Sequence, residues 1–215
     1  GWWRFNEGGG DRAVDSSAWR SHGEIVNSVE WVAGREGLAM VFDDTDNNEV
    51  RVTDAPQLLL ARYNLEAAVR LNHVNSGELE AIIYMFEAGT AWWETGNYYL
   101  STTGRTLNTG YSPATPELEN QKLEVPDLMY ADVWASLGAA YDGDELRLYR
   151  DFEVVNSTGT EGAPSTAGNQ LIIGHAAVGA GCVGGRCTDA PTEAPVTREP
   201  VTQAPVTEAP VSSVT

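Results

Sequence analysis

Two adjacent tryptophans are the first candidates for ligand binding in this chain. Trp92 and Trp93 lie between two strand-favouring segments, in a stretch whose Gly and Asn residues indicate a loop. Because adjacent side chains on a strand point to opposite faces, we expect at least one ring to be exposed. An exposed ring can stack on the apolar face of a sugar, whose hydroxyl groups could bond to Glu94, Asn97 or Tyr111. In the alternative, the loop folds onto the sheet and buries the rings.

An acidic turn is the second candidate. Residues 43–49 read Asp-Asp-Thr-Asp-Asn-Asn-Glu, so that oxygen donors alternate at Asp44, Asp46 and Asn48. Such donors could surround a Ca²⁺ ion, which takes about six to eight oxygen ligands. The spacing excludes an EF-hand, because other residues stand where that loop needs its Gly and its last Glu. A solvated acidic turn without a metal is the alternative.

Covalent modification is indicated at two places. Cys182 and Cys187 are separated by a stretch that contains two glycines, which can bend enough to let the two thiols form a local disulfide. Asn156-Ser157-Thr158 is an N-glycosylation sequon, expected in the turn after a strand at 152–155. Together these features favour a secreted or cell-surface protein.

Charge and composition limit the partners. The chain has 31 acidic and 13 basic residues and a net charge of -18, which argues against binding to nucleic acid or to anionic membranes. No apolar run approaches the roughly 20 residues of a membrane helix, so membrane insertion by this segment is not expected. The chain opens at Gly1 without a basic and apolar leader, which favours a processed form or a piece of a larger multidomain protein.

A composition change after Cys187 predicts a boundary. Residues 188–215 repeat Thr and Pro every five residues, and because each Pro removes a backbone donor, we expect a disordered stalk. This tail has four carboxylates and one arginine, a net charge of -3, which leaves -15 for residues 1–187.

Before that boundary, short strand-favouring runs alternate with turn residues, which predicts an antiparallel all-β fold without helices, either a sandwich or a barrel. Large rings dominate burial in small sandwiches, so the tryptophans in or beside strands are expected in the core. These are Trp2, Trp3, Trp31 and Trp134. The predicted strands cover residues 2–5, 23–26, 38–42, 49–53, 66–71, 80–86, 98–102, 133–140, 145–149, 152–155 and 170–173.

Six segments, which together cover roughly residues 2 to 177, resemble in order and spacing the concanavalin A-like jelly rolls of the laminin G-like type. The most specific segment is Ala-Ala-Tyr-Asp-Gly-Asp-Glu-Leu-Arg-Leu-Tyr at 139–149, whose Asp142-Gly143 pair favours a tight hairpin turn. The resemblance implies two packed antiparallel sheets. We assign them to a domain of residues 1–180, which the Cys-bounded loop at 181–187 and the stalk at 188–215 follow. It also implies a recognition role.

The chain departs from this family after Gly174. Relatives have a further strand there, which closes the sheet beside the first strand, whereas this chain continues through small residues to Cys182. We therefore expect the first strand, Trp2 to Phe5, to form an unpaired edge.

Three functions remain open. The favoured one is a non-catalytic extracellular module that binds glycans or glycoproteins through loops at the sandwich edge. The second is a structural or adhesive spacer with protein contacts only. The third is a glycoside-acting enzyme, because Asp44, Asp46 and Glu49 are the nearest match to the carboxylate cluster of jelly-roll β-glucanases. The turn-forming residues between them make a rigid pair of carboxylates unfavourable.

Overall fold

The structure is a computed structural model that describes residues 1–43, 48–74, 79–86 and 96–177. Within these residues the regular structure consists of fourteen strands and a 3-10 turn at Pro56–Leu58. The strands are β1 (Arg12–Ala13), β2 (Gly23–Val26), β3 (Glu30–Ala33), β4 (Leu38–Val41), β5 (Glu49–Thr53), β6 (Tyr63–Arg70), β7 (Leu79–Phe86), β8 (Gly96–Thr103), β9 (Thr106–Tyr111), β10 (Gln121–Val125), β11 (Trp134–Tyr141), β12 (Glu145–Arg150), β13 (Glu153–Gly159) and β14 (Gln170–Ala177).

The strands form two main antiparallel sheets. The first has eight strands in the order β1-β2-β5-β14-β7-β8-β9-β10, and the second has four in the order β13-β12-β11-β6. The strands β3 and β4 pair with each other as a separate hairpin. All of these pairings are antiparallel.

Apolar residues at alternate positions build the core between the sheets. In β5, Val50 and Val52 are 0% and 1% exposed, while Arg51 between them reaches solvent. Aromatic rings from the two sheets meet, since the centroids of Tyr111 in β9 and Tyr141 in β11 lie 4.8 Å apart. The two sheets therefore pack face to face as a β-sandwich, which confirms the predicted fold class.

The predicted hairpin at 139–149 joins β11 to β12. Asp142 Oδ1 accepts hydrogen bonds from the backbone N–H groups of Asp144 (3.1 Å) and Glu145 (3.0 Å), which fixes the turn. Gly143 has a φ of 111°, a conformation that favours glycine. The hairpin places alternate residues of each strand in the core, and it orients the other set toward the opposite face of the sheet.

The N-terminal segment differs from the prediction. Residues 2–5 form no strand, and the only pairing there is a bridge between Trp3 and Asp15. Phe5 has a φ of 53°, so the chain turns where an extended strand was expected. The predicted long edge is therefore wrong: within the described residues, the two-residue β1 lies at that edge of the sheet, and β14 lies inside the sheet between β5 and β7.

Two of the four tryptophans expected in the core lie elsewhere. Trp3 and Trp31 pack against the core cluster. Trp2 is 60% exposed because its segment lies on the surface. Trp134 is only half-buried, and its ring lies 6.0 Å from the guanidinium of Arg70, its neighbour in the sheet.

Four strands were not predicted: β1, β3, β9 and β10. In β9, Asn108 and Gly110 indicate a turn when read locally. The sheet instead requires glycine at position 110, because a Cβ atom there would meet the Gln121 carbonyl oxygen at 2.2 Å and the Tyr99 hydroxyl at 2.8 Å. Among the helical segments of the described chain, none has the length and hydropathy to cross a membrane.

Candidate functional site

A surface pocket of about 340 Å³ lies on the face of the four-stranded sheet that points away from the core. Its floor follows β11, where Leu137 and Ala139 point into the core and the residues between them point outward. These outward residues, Ser136, Gly138 and Ala140, are all small, which leaves space above the strand. We call this space the β11 pocket. Its lining comprises Asn64, Leu65, Glu66, Ser136, Leu137, Gly138, Ala140, Tyr149 and Phe152.

Gly138 lies at the centre of the floor and sets the width of the pocket. It pairs with Glu66 of β6 on one side and with Tyr149 of β12 on the other. Because adjacent strands are about 4.8 Å apart, the backbones of these two neighbours are separated by about 10 Å. A Cβ atom at position 138 would approach the Leu65 carbonyl oxygen to 3.1 Å and the Tyr149 Cβ to 3.4 Å, so the sheet itself favours glycine here.

Aromatic side chains line one side of the pocket. Tyr149 is half-buried, and Phe152 is 72% exposed. Phe152 lies in the two-residue turn between β12 and β13, where Asp151 and Phe152 have φ values of 50° and 69°. Two positive φ values in such a turn are typical of a type I′ hairpin, which usually contains Asn or Gly.

A bulky residue in this backbone conformation is unfavourable by roughly 1–2 kcal/mol. Hydrogen bonds hold the turn in place, because Asp151 accepts from the Ser136 N–H through Oδ1 (3.0 Å) and donates its own N–H to the Ser136 carbonyl oxygen (2.7 Å). Residues with strained backbone conformations cluster at functional sites, including sites that hold a ligand.

Polar side chains line the opposite side. Asn64 and Glu66 alternate with buried residues on β6, and both are exposed. The Asn64 amide can donate and accept hydrogen bonds, and the Glu66 carboxylate can accept them. The β11 pocket thus combines aromatic surface on one side with hydrogen-bonding groups on the other, over a small and flat floor.

An arginine from another part of the fold reaches the floor of the pocket. Arg35 lies in the turn between β3 and β4, and its Nη1 donates a 2.8 Å hydrogen bond to Ser136 Oγ. The turn is closed by a 3.0 Å bond from the Gly34 N–H to the Gly37 carbonyl oxygen. The residues that line this site come from separate parts of the chain, and the sequence predictions did not identify them.

The outer face of the eight-stranded sheet is filled by its own aromatic residues. Tyr84 and Phe86 are only 5% and 8% exposed. The rings of Tyr84 and Tyr99 stack with centroids 5.4 Å apart and planes 12° apart. Burial raises the pKa of Tyr99 to about 12, with a smaller contribution from the charge of Glu124.

Two residues predicted to bind a ligand are buried. Asn97 is fully buried, and its Nδ2 donates to the Ser165 carbonyl oxygen. Tyr111 is 1% exposed, and its hydroxyl donates to the Gly162 carbonyl oxygen at 2.8 Å. Burial raises the pKa of Tyr111 well above its ordinary value. Neither side chain is available to a surface ligand. Asn97 joins β8, and Tyr111 joins β9, to the segment that precedes β14.

The other predicted loop residues, Trp92, Trp93 and Glu94, lie outside the described residues. Of the proposed calcium ligands, Asp44 and Asp46 also lie outside them. Asn48 is buried, with its Oδ1 accepting from the Asp43 N–H (2.8 Å) and its Nδ2 donating to the Ser28 carbonyl oxygen (2.9 Å). Within the part of the chain that the structure describes, no three His, Cys, Asp or Glu side chains cluster as metal ligands.

Cys182, Cys187 and the repeat tail lie outside the described residues as well, so the disulfide and the stalk stay predictions. Asn156 is exposed, but it lies within β13 and not in a turn, which corrects its predicted location. The strand is longer than expected because Glu153 to Gly159 pair with β12 through a bulge next to Tyr149.

Comparisons with known proteins identify the fold. No model of a protein family matches the chain, and no curated protein matches its sequence. Its fold is similar to that of the botulinum neurotoxin serotype G binding domain (TM-score 0.57, 11% identity, covering 76% of this chain and 44% of that one). A second similar structure, the receptor binding domain of botulinum neurotoxin type G, has a TM-score of 0.54 at 12% identity, covering 78% of this chain and 45% of that one.

The CBM40 module of the Ruminococcus gnavus IT-sialidase is also similar, with a TM-score of 0.52 at 8% identity, covering 62% of this chain and 76% of that one. The chain spans less than half the length of the toxin binding domains. At these identities the likeness concerns the fold, an antiparallel β-sandwich.

Proposed function

We propose that this chain is a non-catalytic carbohydrate-binding module and that the β11 pocket holds the sugar. The observation that carries this proposal is the exposed ring of Phe152, which lines an open pocket opposite Asn64 and Glu66. An aromatic ring covers the apolar C–H face of a sugar, while amide and carboxylate groups bind its hydroxyls. The volume of about 340 Å³ is near the lower end for ligand pockets and suits a short glycan.

The arrangement of the fold supports binding without catalysis. Glycosidases flank the scissile bond with two carboxyl groups, and Glu66 is the one carboxylate among the residues that line the β11 pocket.

The structural neighbours are consistent with this proposal. One is a carbohydrate-binding module of a sialidase and others are toxin binding domains, which are named for binding and not for catalysis. We further propose that the chain belongs to the concanavalin A-like jelly rolls of the laminin G-like type, because it has the motifs described above. We also propose that it is extracellular and that its partners are glycans or glycoproteins. In that setting an N-glycan is expected on the exposed Asn156.

The test is a glycan array followed by titration of the best ligand. Replacing Phe152 with Ala should weaken binding about tenfold, which corresponds to about 1.4 kcal/mol, because the sugar loses its stacking partner. Tyr149→Ala should weaken binding similarly. The melting temperature of Phe152→Ala should not fall, since the ring is mostly in solvent.

Trp19→Ala is the matched control, because Trp19 is equally exposed, at 69%, and does not line the pocket. Its affinity should equal that of the wild type. Equal losses in Trp19→Ala and Phe152→Ala would indicate nonspecific adhesion by exposed rings and would contradict the proposed site. An array without any bound glycan would favour the spacer function.

A further inference from the structure

We infer that the β11 pocket selects uncharged sugars, because a negative charge lines it at Glu66 and a positive charge, that of Arg35, is bonded to Ser136 on its floor. This inference rests on the proposed function and adds the class of glycan. The two charges belong to Arg35, which is held at the floor by Ser136, and Glu66, which lines the pocket on β6.

Arg35 is positioned firmly although it lies at a hairpin tip. The Leu38 N–H donates to Asn6 Oδ1 at 2.9 Å, which ties the β3–β4 hairpin to the N-terminal segment. Gly37 has a φ of 68°, which allows the sharp turn after Arg35. The guanidinium therefore reaches Ser136, 101 residues away in sequence, and its partner there is a neutral hydroxyl.

Glu66 provides the negative charge next to this cation. It pairs in register with Gly138, two residues along β11 from Ser136. Its side chain is exposed, and no ion pair within 4.0 Å involves it in the part of the chain that the structure describes. The pocket consequently has an acceptor that carries negative charge in its lining, and a donor that carries positive charge is bonded to its floor.

A third charged group on this face is already neutralised. Arg147 lies beside Ala140 in the sheet. Its guanidinium forms ion pairs with Asp142 (2.7 Å) and with Glu145. These two carboxylates satisfy Arg147, so it does not add an available charge to the pocket.

A charged sugar would meet a like charge at this site. The carboxylate of a uronic or sialic acid would approach Glu66, and the field of residues 1–187, whose net charge is -15, would oppose its arrival. The same field attracts the ammonium group of an amino sugar, so its exclusion rests on the like charge of Arg35 at the floor. Hydroxyl groups can use both side chains, because they donate to Glu66 and accept from Arg35 without placing like charges together.

The experiment uses matched sugars that differ in one group. Oligosaccharides of glucose, glucuronic acid and glucosamine, and the corresponding galactose series, are titrated against the full chain. We expect the neutral members to bind at least tenfold more tightly than the acidic and the amino members. Ala140→Leu, which places a larger side chain on the pocket floor, should abolish that binding and so assign it to the β11 pocket.

Two variants test the cause by a gain of binding. Glu66→Gln removes the negative charge and should raise the affinity for the acidic sugars at least tenfold, whereas Arg35→Gln should do the same for the amino sugars. If the wild type prefers a charged sugar and Ala140→Leu abolishes that binding, the inference is overturned while the proposed function stands. If neither variant gains its charged ligand, the inference is also overturned. If no sugar binds the wild type, the proposed function fails with it.

Discussion

At the scale of single residues, Asp15 organises the N-terminal segment. Its Oδ1 accepts from the backbone N–H groups of Trp2 (2.7 Å) and Ser17 (2.8 Å). Its Oδ2 accepts from Ser17 Oγ (2.7 Å) and the Ser21 N–H (2.8 Å), so both carboxylate oxygens are occupied. Burial alone would raise the pKa of Asp15, but these hydrogen bonds outweigh it and lower the pKa to about 2.

This pKa gives Asp15 a pH-dependent contribution to stability. The folded pKa lies below the ordinary value of 3.8, so the contribution is complete above pH 3.8 and is lost as pH falls through about 2. Asp15→Asn should therefore lower the free energy of unfolding at pH 7 by about 1–2 kcal/mol after allowance for solvent screening. Urea denaturation between pH 7 and pH 2.5 should show the difference from wild type shrinking in the acid range.

Asp11→Asn, at an exposed aspartate of the same segment, is the matched control for this measurement. It should leave the free energy of unfolding nearly unchanged over the same pH range. A constant difference for Asp15→Asn from pH 7 to pH 2.5 would show that the charged form of Asp15 is not what stabilises the segment.

At the scale of elements, Phe152 in the β12–β13 turn should lower the stability of the fold through backbone strain while its ring strengthens glycan binding. Glycine adopts the φ of 69° at position 152 without strain. Phe152→Gly should therefore raise the free energy of unfolding by about 0.5–1 kcal/mol, the relieved strain less the entropy that glycine loses on folding. The same change should weaken glycan binding, because the ring is lost. Chemical denaturation and titration with one preparation measure both effects.

Val154→Gly is the control for this turn, since Val154 is exposed, at 55%, but lies within β13. Glycine inside a strand should lower stability and leave binding unchanged. If Phe152→Gly were destabilised as much as Val154→Gly, the ring at position 152 would contribute packing that its exposure does not indicate, and the strain argument would fail.

At the scale of the whole molecule, the net charge of -18 means that Ca²⁺ can stabilise the fold without binding to a specific site. Any added salt screens repulsion among the carboxylates and stabilises the fold. A specific site at Asp44 and Asp46 should raise the melting temperature further, because Ca²⁺ then binds the native state alone. We expect millimolar CaCl₂ to raise the melting temperature more than NaCl of equal ionic strength does. Asp46→Ala should remove this additional rise. Equal curves in the two salts would contradict the predicted site.

The antiparallel all-β class and the β11–β12 hairpin could be predicted from the sequence alone. Both follow from local chemistry, because alternation in segments such as 146–150 allows one buried face and Asp142-Gly143 allows the turn. Adjacent aromatic residues also suggested a sugar-binding loop, but its tryptophans are outside the described residues, and Asn97 and Tyr111 are used within the sandwich.

The tertiary structure places Phe152 and Glu66 in one pocket and brings Arg35 to Ser136 on its floor. Each of them is ordinary in its local sequence, and none belongs to a motif. They meet because β6 and β12 flank β11 in the sheet and because the β3–β4 hairpin reaches Ser136. Strand order joins residues far apart in the chain, whereas local propensity depends on near neighbours. The candidate site was therefore decided by packing that no short stretch of the sequence encodes.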